Sequence, residues 1–338
     1  MKIAYIIYPE AIVINHANGI RNQAIQWADC LKGFCSVDLI NPWTEIKWED
    51  YDIVHLFGGN QWLGFVPDLL RKNPNIVFSP ILDSIESKFK LKLQAKCGFK
   101  GYHHAQNVYK SYIKNFKALL VRSNYEREYF SYCFRVESYK LHIVPISYEF
   151  RDIEPVCEKD DFCFHMSTLY QERKNVSRLI QAAKKYNFRL VLAGNTGTKE
   201  QHTKILQSID GYDNIQCLGF ISNEYANTLY MKAKVFALPS INEGVGIVAL
   251  NAGVAGDNIV LTQVGGPKEY FGGYAYLVNP YSIDQIGQAI KTALSDNHSQ
   301  PNLQQHLTEN YSQEVVGKKL FKCYQSILIN NQIKYDNF

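Results

Sequence analysis

The chain has 338 residues, 46% of them hydrophobic and 20% charged, which suits two globular domains with sizeable cores and excludes a disordered or collagen-like protein. No stretch approaches the ~18 to 20 consecutive apolar residues that a membrane span needs. The formal net charge of +4 arises within residues 1–150, where 18 Lys+Arg face 14 Asp+Glu, since the remainder holds 18 of each.

The opening "MKIAYIIYPEAIVIN" loses its apolar run at Pro9 and Glu10, so it reads as a buried first strand rather than an export signal. Strands are then predicted at 2–8, 35–40, 52–57, 75–79, 118–122 and 141–145, with helical patterns between them such as 20–32. A charged, poorly periodic stretch follows at 149–161, "EFRDIEPVCEKDD". The series then restarts, with strands predicted at 162–167, 188–193, 214–218, 234–238, 258–262 and 275–278. Such alternation predicts an α/β protein of two Rossmann-like domains, 1–150 and 151–310, facing across a cleft. Ligands of open parallel sheets bind beyond the carboxyl ends of the strands, so the loops there carry the chemistry.

In the first half, His16 follows the first strand and Asp83, in "SPILDS", follows another; both read either as acceptor-side groups or as ordinary surface residues. The stretch 87–117 carries eight lysines and no acid. Its "KFKLKLQAKCGF" alternates cation with apolar residue and then loosens toward helical spacing. Lysines around Phe89, Leu91, Leu93 and Phe99 suit an anionic membrane surface; a solvated helix is the plain alternative. No nucleic-acid motif accompanies the charge. The Asp50-Tyr51-Asp52 triplet imitates a metal-binding Asp-x-Asp, but it precedes a strand instead of following one, and no metal is expected. Eight scattered cysteines lack Cys-x-x-Cys or zinc spacing and read as reduced thiols of a cytoplasmic protein.

In the second half, "STLYQERKNVSRLIQA" places Arg173 and Lys174 between a strand and a helix, where paired cations can neutralise a diphosphate leaving group. "PSINEGVGIVALNAGVAG" sets Glu243 before Gly244 and Gly246 and then an apolar helix at 247–255. The glycines permit close approach, and the helix N-terminus suits a phosphate. Glu243 can accept hydrogen bonds from two sugar hydroxyls, or serve simply as an acid at a helix start. "GVGIVA" also fits a dinucleotide fingerprint, but Pro-Ser-Ile-Asn-Glu stands where that fingerprint requires a tight turn after the strand.

"RKNVSRLIQA", "RLVLAGNTG", "IQCLGFISNEYANTLYMKAKVFALPSINEGVGIVALNAGVAG" and "VGGPKEYFGGYAYLVNP", in this order, resemble the donor half of retaining glycosyltransferases of family 4, which have the GT-B fold. The likeness is strong over 162–295. It is weak in the first half, through "NGIRNQAIQWADCL", "DYDIVHLFGG" and "KLHIVPISYEF". The resemblance implies that Arg173 and Lys174 hold the donor diphosphate and that Glu243 binds the donor sugar. It further implies donor contacts around Gly19, Gly194, Gly244, Val245, Gly246 and Ile247, and a last helix near 311–328 that crosses back to the first domain. Three departures stand out: the second acid of the signature is Asn251, the N-terminal Gly-Gly is Asn18-Gly19, and "STLYQERKN" is one residue longer than usual.

The expected activity is transfer of a sugar from a nucleoside-diphosphate sugar to a saccharide or lipid-linked saccharide, without cofactor, in cell-surface polysaccharide or glycolipid synthesis. The expected location is cytoplasmic or peripheral on the inner membrane face. A non-catalytic subunit that binds a nucleotide-sugar is the alternative from another class.

Overall fold

The computed structural model describes residues 1–7, 19–41, 43–58, 63–81, 87–96, 98–99, 102–103, 110–149, 158–296 and 301–335. His16 and Asp83 lie outside the described residues. The chain forms two compact units: residues 1–146 with 313–338, and residues 147–312.

The first unit is built on a six-stranded parallel sheet. Its strands are β1 (Lys2–Ile7), β2 (Ser36–Leu39), β3 (Ile53–Phe57), β4 (Ile76–Ser79), β7 (Ala118–Val121) and β8 (Leu141–Ile143), in the order β2-β1-β3-β4-β7-β8. Between β4 and β7 lie two short antiparallel strands, β5 (Gly98–Phe99) and β6 (Tyr102–His103). Continuous burial of "IVHLF" in β3 and "ALLV" in β7 shows why these runs are apolar throughout: helices cover both faces of the sheet. Asp52 of the triplet serves the fold, since its Oδ2 accepts the Lys2 backbone N–H at 2.7 Å.

The second unit repeats the architecture with β9 (Asp160–Met166), β10 (Leu190–Ala193), β11 (Ile215–Gly219), β12 (Ala233–Leu238), β13 (Asn258–Thr262) and β14 (Tyr276–Val278). Its order, β11-β10-β9-β12-β13-β14, reverses direction between β9 and β12, and every pairing is parallel.

Three sequence expectations are corrected. The strand expected at 162–167 starts earlier, inside the charged stretch: Asp160 and Asp161 begin β9, because pairing with Ala233 continues the ladder into these charged residues. The lysine-rich run starts as the helix Lys88–Gln94, not an alternating segment, and the Ser87 hydroxyl accepts the Lys90 N–H at its start. The division between the units falls after Ile146, and the Glu149 N–H donates to Asn251 Oδ1 at 2.9 Å inside the second unit.

The terminal helix Gln313–Tyr335 belongs to the first unit. Val316, Leu320, Tyr324 and Ile327 are buried with Ile3, Tyr5 and Trp27 in one core. The Tyr324 hydroxyl lies 2.9 Å from Tyr5 Oη and 2.6 Å from His55 Nδ1, and His55 Nε2 lies 2.8 Å from Ser79 Oγ. Burial holds His55 well below the usual histidine range. Gly317 lets this helix sit against the first one, Gly19–Cys30: a Cβ there would stand 2.0 Å from the Cys30 carbonyl oxygen. Gly317→Ala is therefore expected to cost about 1–3 kcal/mol. Gly64→Ala, where an added methyl meets open space, is expected to stay within about 0.5 kcal/mol. Urea unfolding of both variants checks the contrast.

Candidate functional site

β9 and β12 are adjacent and parallel, so the loops after Met166 and Leu238 leave the same edge of the sheet where the strand order reverses. That edge is the binding crevice of a doubly wound sheet.

The first loop ends in a 3-10 turn, Glu172–Lys174, and then in Asn175, whose φ of 59° is left-handed. Asparagine tolerates this conformation better than most residues. The buried Asn175 amide donates to the Pro239 carbonyl at 2.8 Å and the Pro280 carbonyl at 2.6 Å. The Ile241 N–H donates to the Arg173 carbonyl at 2.8 Å. The two loops are thus joined through backbone groups before any charge is considered.

Charge completes the junction. Lys174 Nζ donates to Glu243 Oε2 at 2.7 Å, and the Ser240 hydroxyl donates to the same oxygen at 3.0 Å. The Arg173 guanidinium lies 3.6 Å from Glu243 Oε1 and donates to the Asn242 carbonyl at 3.2 Å. Glu243 is only 6% exposed, so this carboxylate is held almost out of water by two cations and a hydroxyl.

The loop after β13 supports it from the other side. Glu243 and Gly265 form a parallel bridge, and the Gly266 N–H donates to the Glu243 carbonyl at 3.1 Å. Gly265 has φ +103°, and a Cβ there would stand 1.9 Å from that carbonyl oxygen, so no larger residue fits. Gly246, at φ 83°, turns the chain into the apolar helix Ile247–Val254; its carbonyl accepts the Ala249 and Leu250 N–H groups, and the Ile247 and Val248 amides precede the helical ladder at the positive end of the helix.

A buried histidine lies behind the cluster. His165 Nδ1 is 2.7 Å from the Ala237 carbonyl, which only accepts, so Nδ1 carries the proton. Nε2 then accepts the Ser167 hydroxyl proton at 2.7 Å. Burial lowers the His165 pKa to about 4, and the nearby Lys174 charge acts in the same direction.

The expected site residues are thus distributed as follows. Arg173, Lys174 and Glu243 form one cluster, and Gly244, Val245, Gly246 and Ile247 continue from it along the chain. Gly194, at φ +124°, allows the Ser167 carbonyl to pack against it, and so seats the first loop. Asn251 does not stand open: Glu149 Oε2 accepts from its amide at 3.4 Å, alongside the Glu149 N–H contact already described. Gly19 is the first residue of a helix in the first unit rather than a loop residue. Sequence reasoning missed Asn175, Ser240, Gly265 and His165. Only His165 carries a visible signal, as a lone imidazole inside the apolar run "FCFHM".

Residues 147–314 match the family described as glycosyl transferases group 1. The second unit belongs to that family. Among relatives, the O-antigen chain mannosyltransferase B of Escherichia coli is 27% identical over 153 residues, 42% of this chain and 40% of that protein. The chain spans about two fifths of the length of the curated relatives it matches. Among solved structures, sucrose-phosphate synthase from Thermosynechococcus elongatus aligns with a TM-score of 0.76 at 18% identity, over 97% of this chain and 99% of that one. Anabaena HepE in complex with UDP-glucose aligns at 0.73 and 14% identity, over 96% and 100%. The whole chain therefore has the GT-B fold, and the cluster lies within its group 1 unit.

A histidine kept neutral by burial makes the group 1 unit sensitive to acid. Below pH ~6.5 the unfolded chain binds a proton at His165 that the folded chain refuses until about pH 4, so stability falls as pH drops. The expected loss from this group between pH 7 and pH 5 is about 2 kcal/mol. His55, also held low by burial, gives the first unit a dependence of the same sign. Urea unfolding at the two pH values should show the loss, and His165→Gln should flatten it.

Proposed function

We propose that the protein is a glycosyltransferase that moves a sugar from a nucleoside-diphosphate sugar to a hydroxyl of a saccharide or lipid-linked saccharide, with retention at the anomeric carbon. The observation that carries this reading is the junction of Lys174, Arg173 and Glu243 at the point where the sheet order reverses. Two ends of one ligand are served there. Lys174 has three donors and Arg173 five, enough to keep Glu243 and still take up the oxygens of a diphosphate. The amides at Ile247 lie on the same loop and add positive field. Glu243 Oε2 is occupied by Lys174 and Ser240, so Oε1, whose 3.6 Å contact with Arg173 exceeds hydrogen-bond length, meets the sugar hydroxyls.

In this reaction the bond from anomeric carbon to phosphate oxygen breaks, and the acceptor oxygen forms the new glycosidic bond. The departing phosphate oxygen takes the acceptor proton, so no side-chain base is needed. Arg173, Lys174 and the helix terminus stabilise the leaving diphosphate without requiring a metal. Likeness to HepE, solved with UDP-glucose, and to an O-antigen mannosyltransferase supports a nucleotide-sugar donor and a saccharide acceptor.

UDP-glucose and GDP-mannose are the first donors to test. Wild type is expected to release nucleoside diphosphate when an oligosaccharide acceptor is present. Glu243→Gln and Lys174→Ala are each expected to lower kcat by about 100-fold or more. Donor binding without release by wild type would instead support a non-catalytic nucleotide-sugar subunit. The engagement of Asn251 by Glu149, at the position of the family's second acid, favours that reading.

The first unit suits a negatively charged membrane surface. On the helix Lys88–Gln94, Leu91 is buried, while Phe89 is 71% and Leu93 52% exposed among Lys88, Lys90 and Lys92. Arg127 and Arg135 line the same groove as Lys88 and Lys92, against Glu128 as its one acid. Each cation near an anionic surface contributes ~1 kcal/mol. Binding to phosphatidylglycerol vesicles is expected to drop at least about tenfold in Lys90→Glu/Lys92→Glu. Binding to uncharged phosphatidylcholine vesicles is expected to be weak throughout; sedimentation with vesicles measures both.

A further inference from the structure

We infer that Asn175 is a positioning residue that sets the cationic turn through Lys174; this rests on the proposed reading of the cluster as a diphosphate site. Asn175 is 3% exposed and stands at the N-cap of the helix Val176–Tyr186. Its side chain is not needed for the turn itself. Glycine adopts a φ of 59° without strain and leaves no amide to bury.

Nor does the side chain cap its helix. Ser87, Ser123, Thr198, Ser222 and Ser282 each do so in the ordinary way, the hydroxyl accepting the backbone N–H three residues on. Asn175 makes no such bond. Its Oδ1 accepts Arg178 Nη1 at 2.9 Å, so the residue three positions on is met at its guanidinium instead of its amide. The helix forgoes a stabilising cap, and the side chain is spent elsewhere.

It is spent on joining loops. Nδ2 donates to the carbonyls of Pro239, after β12, and Pro280, after β14, and so ties both to the residue next to Lys174. Arg178, which holds the other end of the amide, also lies 5.2 Å from the centre of the Tyr281 ring, next after Pro280. With two acceptors at one end and a donor at the other, a single orientation of the amide satisfies every partner. Lys174 reaches Glu243 on a flexible stem, so its Nζ is placed only as well as its own backbone. Within the turn that backbone is set by the Lys174 N–H to the Gln171 carbonyl at 2.9 Å and the Asn175 N–H to the Glu172 carbonyl at 3.0 Å. The Asn175 amide sets the whole turn against the loop that carries Glu243. A cation stabilises a departing diphosphate by being in place before the charge develops, so the amide acts on turnover more than on donor binding.

Asn175→Gly keeps the left-handed backbone and removes the amide alone. With UDP-glucose or GDP-mannose and an oligosaccharide acceptor, it is expected to lower kcat at least about tenfold and leave the donor KM within about twofold. In a Lys174→Ala background the same substitution is expected to change kcat by less than about twofold, because its route is gone. Ser222→Ala, which removes an ordinary cap, is expected to lower stability and leave kcat unchanged. Arg178→Met is expected to lower kcat about threefold and Arg178→Lys to restore most of it. If Asn175→Gly does not fold, Arg178→Met takes its place in every arm. Urea unfolding supplies a donor-free arm. There the losses from Asn175→Gly and Glu243→Gln are expected to fall short of additivity by at least about fivefold in the unfolding equilibrium constant. If wild type turns over no donor, the transfer reading fails and the urea arm alone decides this inference. The inference is overturned if Asn175→Gly matches an active wild type in kcat, if it slows turnover equally without Lys174, or if the two urea losses simply add.

Discussion

The ion pair between Lys174 and Glu243 is the constraint on which the second unit depends. A carboxylate this deeply buried has a heavy desolvation cost, met only by close partners on several sides. Those partners are Lys174 and Arg173 from the loop after β9 and Ser240 within its own loop, while the Gly266 N–H holds the Glu243 backbone carbonyl. Three strand ends are thereby brought to one point, and the helix that starts after Gly246 is aimed by the same loop. Removing the carboxylate leaves two cations facing each other, whereas removing Lys174 leaves Glu243 with Arg173 and Ser240. A site assembled in this way has its geometry fixed before a ligand arrives, which is what discrimination of a transition state requires.

Both six-stranded sheets were legible in the sequence, because strands buried on two faces leave continuous apolar runs. Their ends were less legible. Asp160 reads as solvent-seeking, yet sheet pairing with Ala233 carries it into β9. The cluster was legible as charge: Arg173, Lys174 and Glu243 stand in loops at the ends of apolar runs, where ordinary packing has no use for them. Gly265 and Asn175 were not, because their roles are contacts between loops far apart in the chain. A glycine that must avoid one particular carbonyl looks, in sequence, like any other glycine.

Asn251 shows the limit of carrying a motif across. On the sequence it reads as a lost charge, whereas in the structure its amide is engaged by Glu149, so a carboxylate is present nearby on a different chain segment. Substitution at one position is thus read correctly only with its spatial neighbours. The same holds for the lysine-rich run, where Leu91 turns inward and Phe89 outward, as helical rather than alternating geometry dictates.

The terminal helix has a consequence for how the molecule is made. Its four core residues complete a hydrophobic interior whose other members lie in the first 144 residues. During synthesis the earlier unit must wait, with part of the core around Trp27 and Tyr5 unshielded, until residues 316–327 have been delivered. The later unit is one uninterrupted segment and is free to finish first. Order of translation and order of completion are therefore opposed for the two units, and a chaperone meeting the nascent chain would find exposed apolar surface on the earlier one.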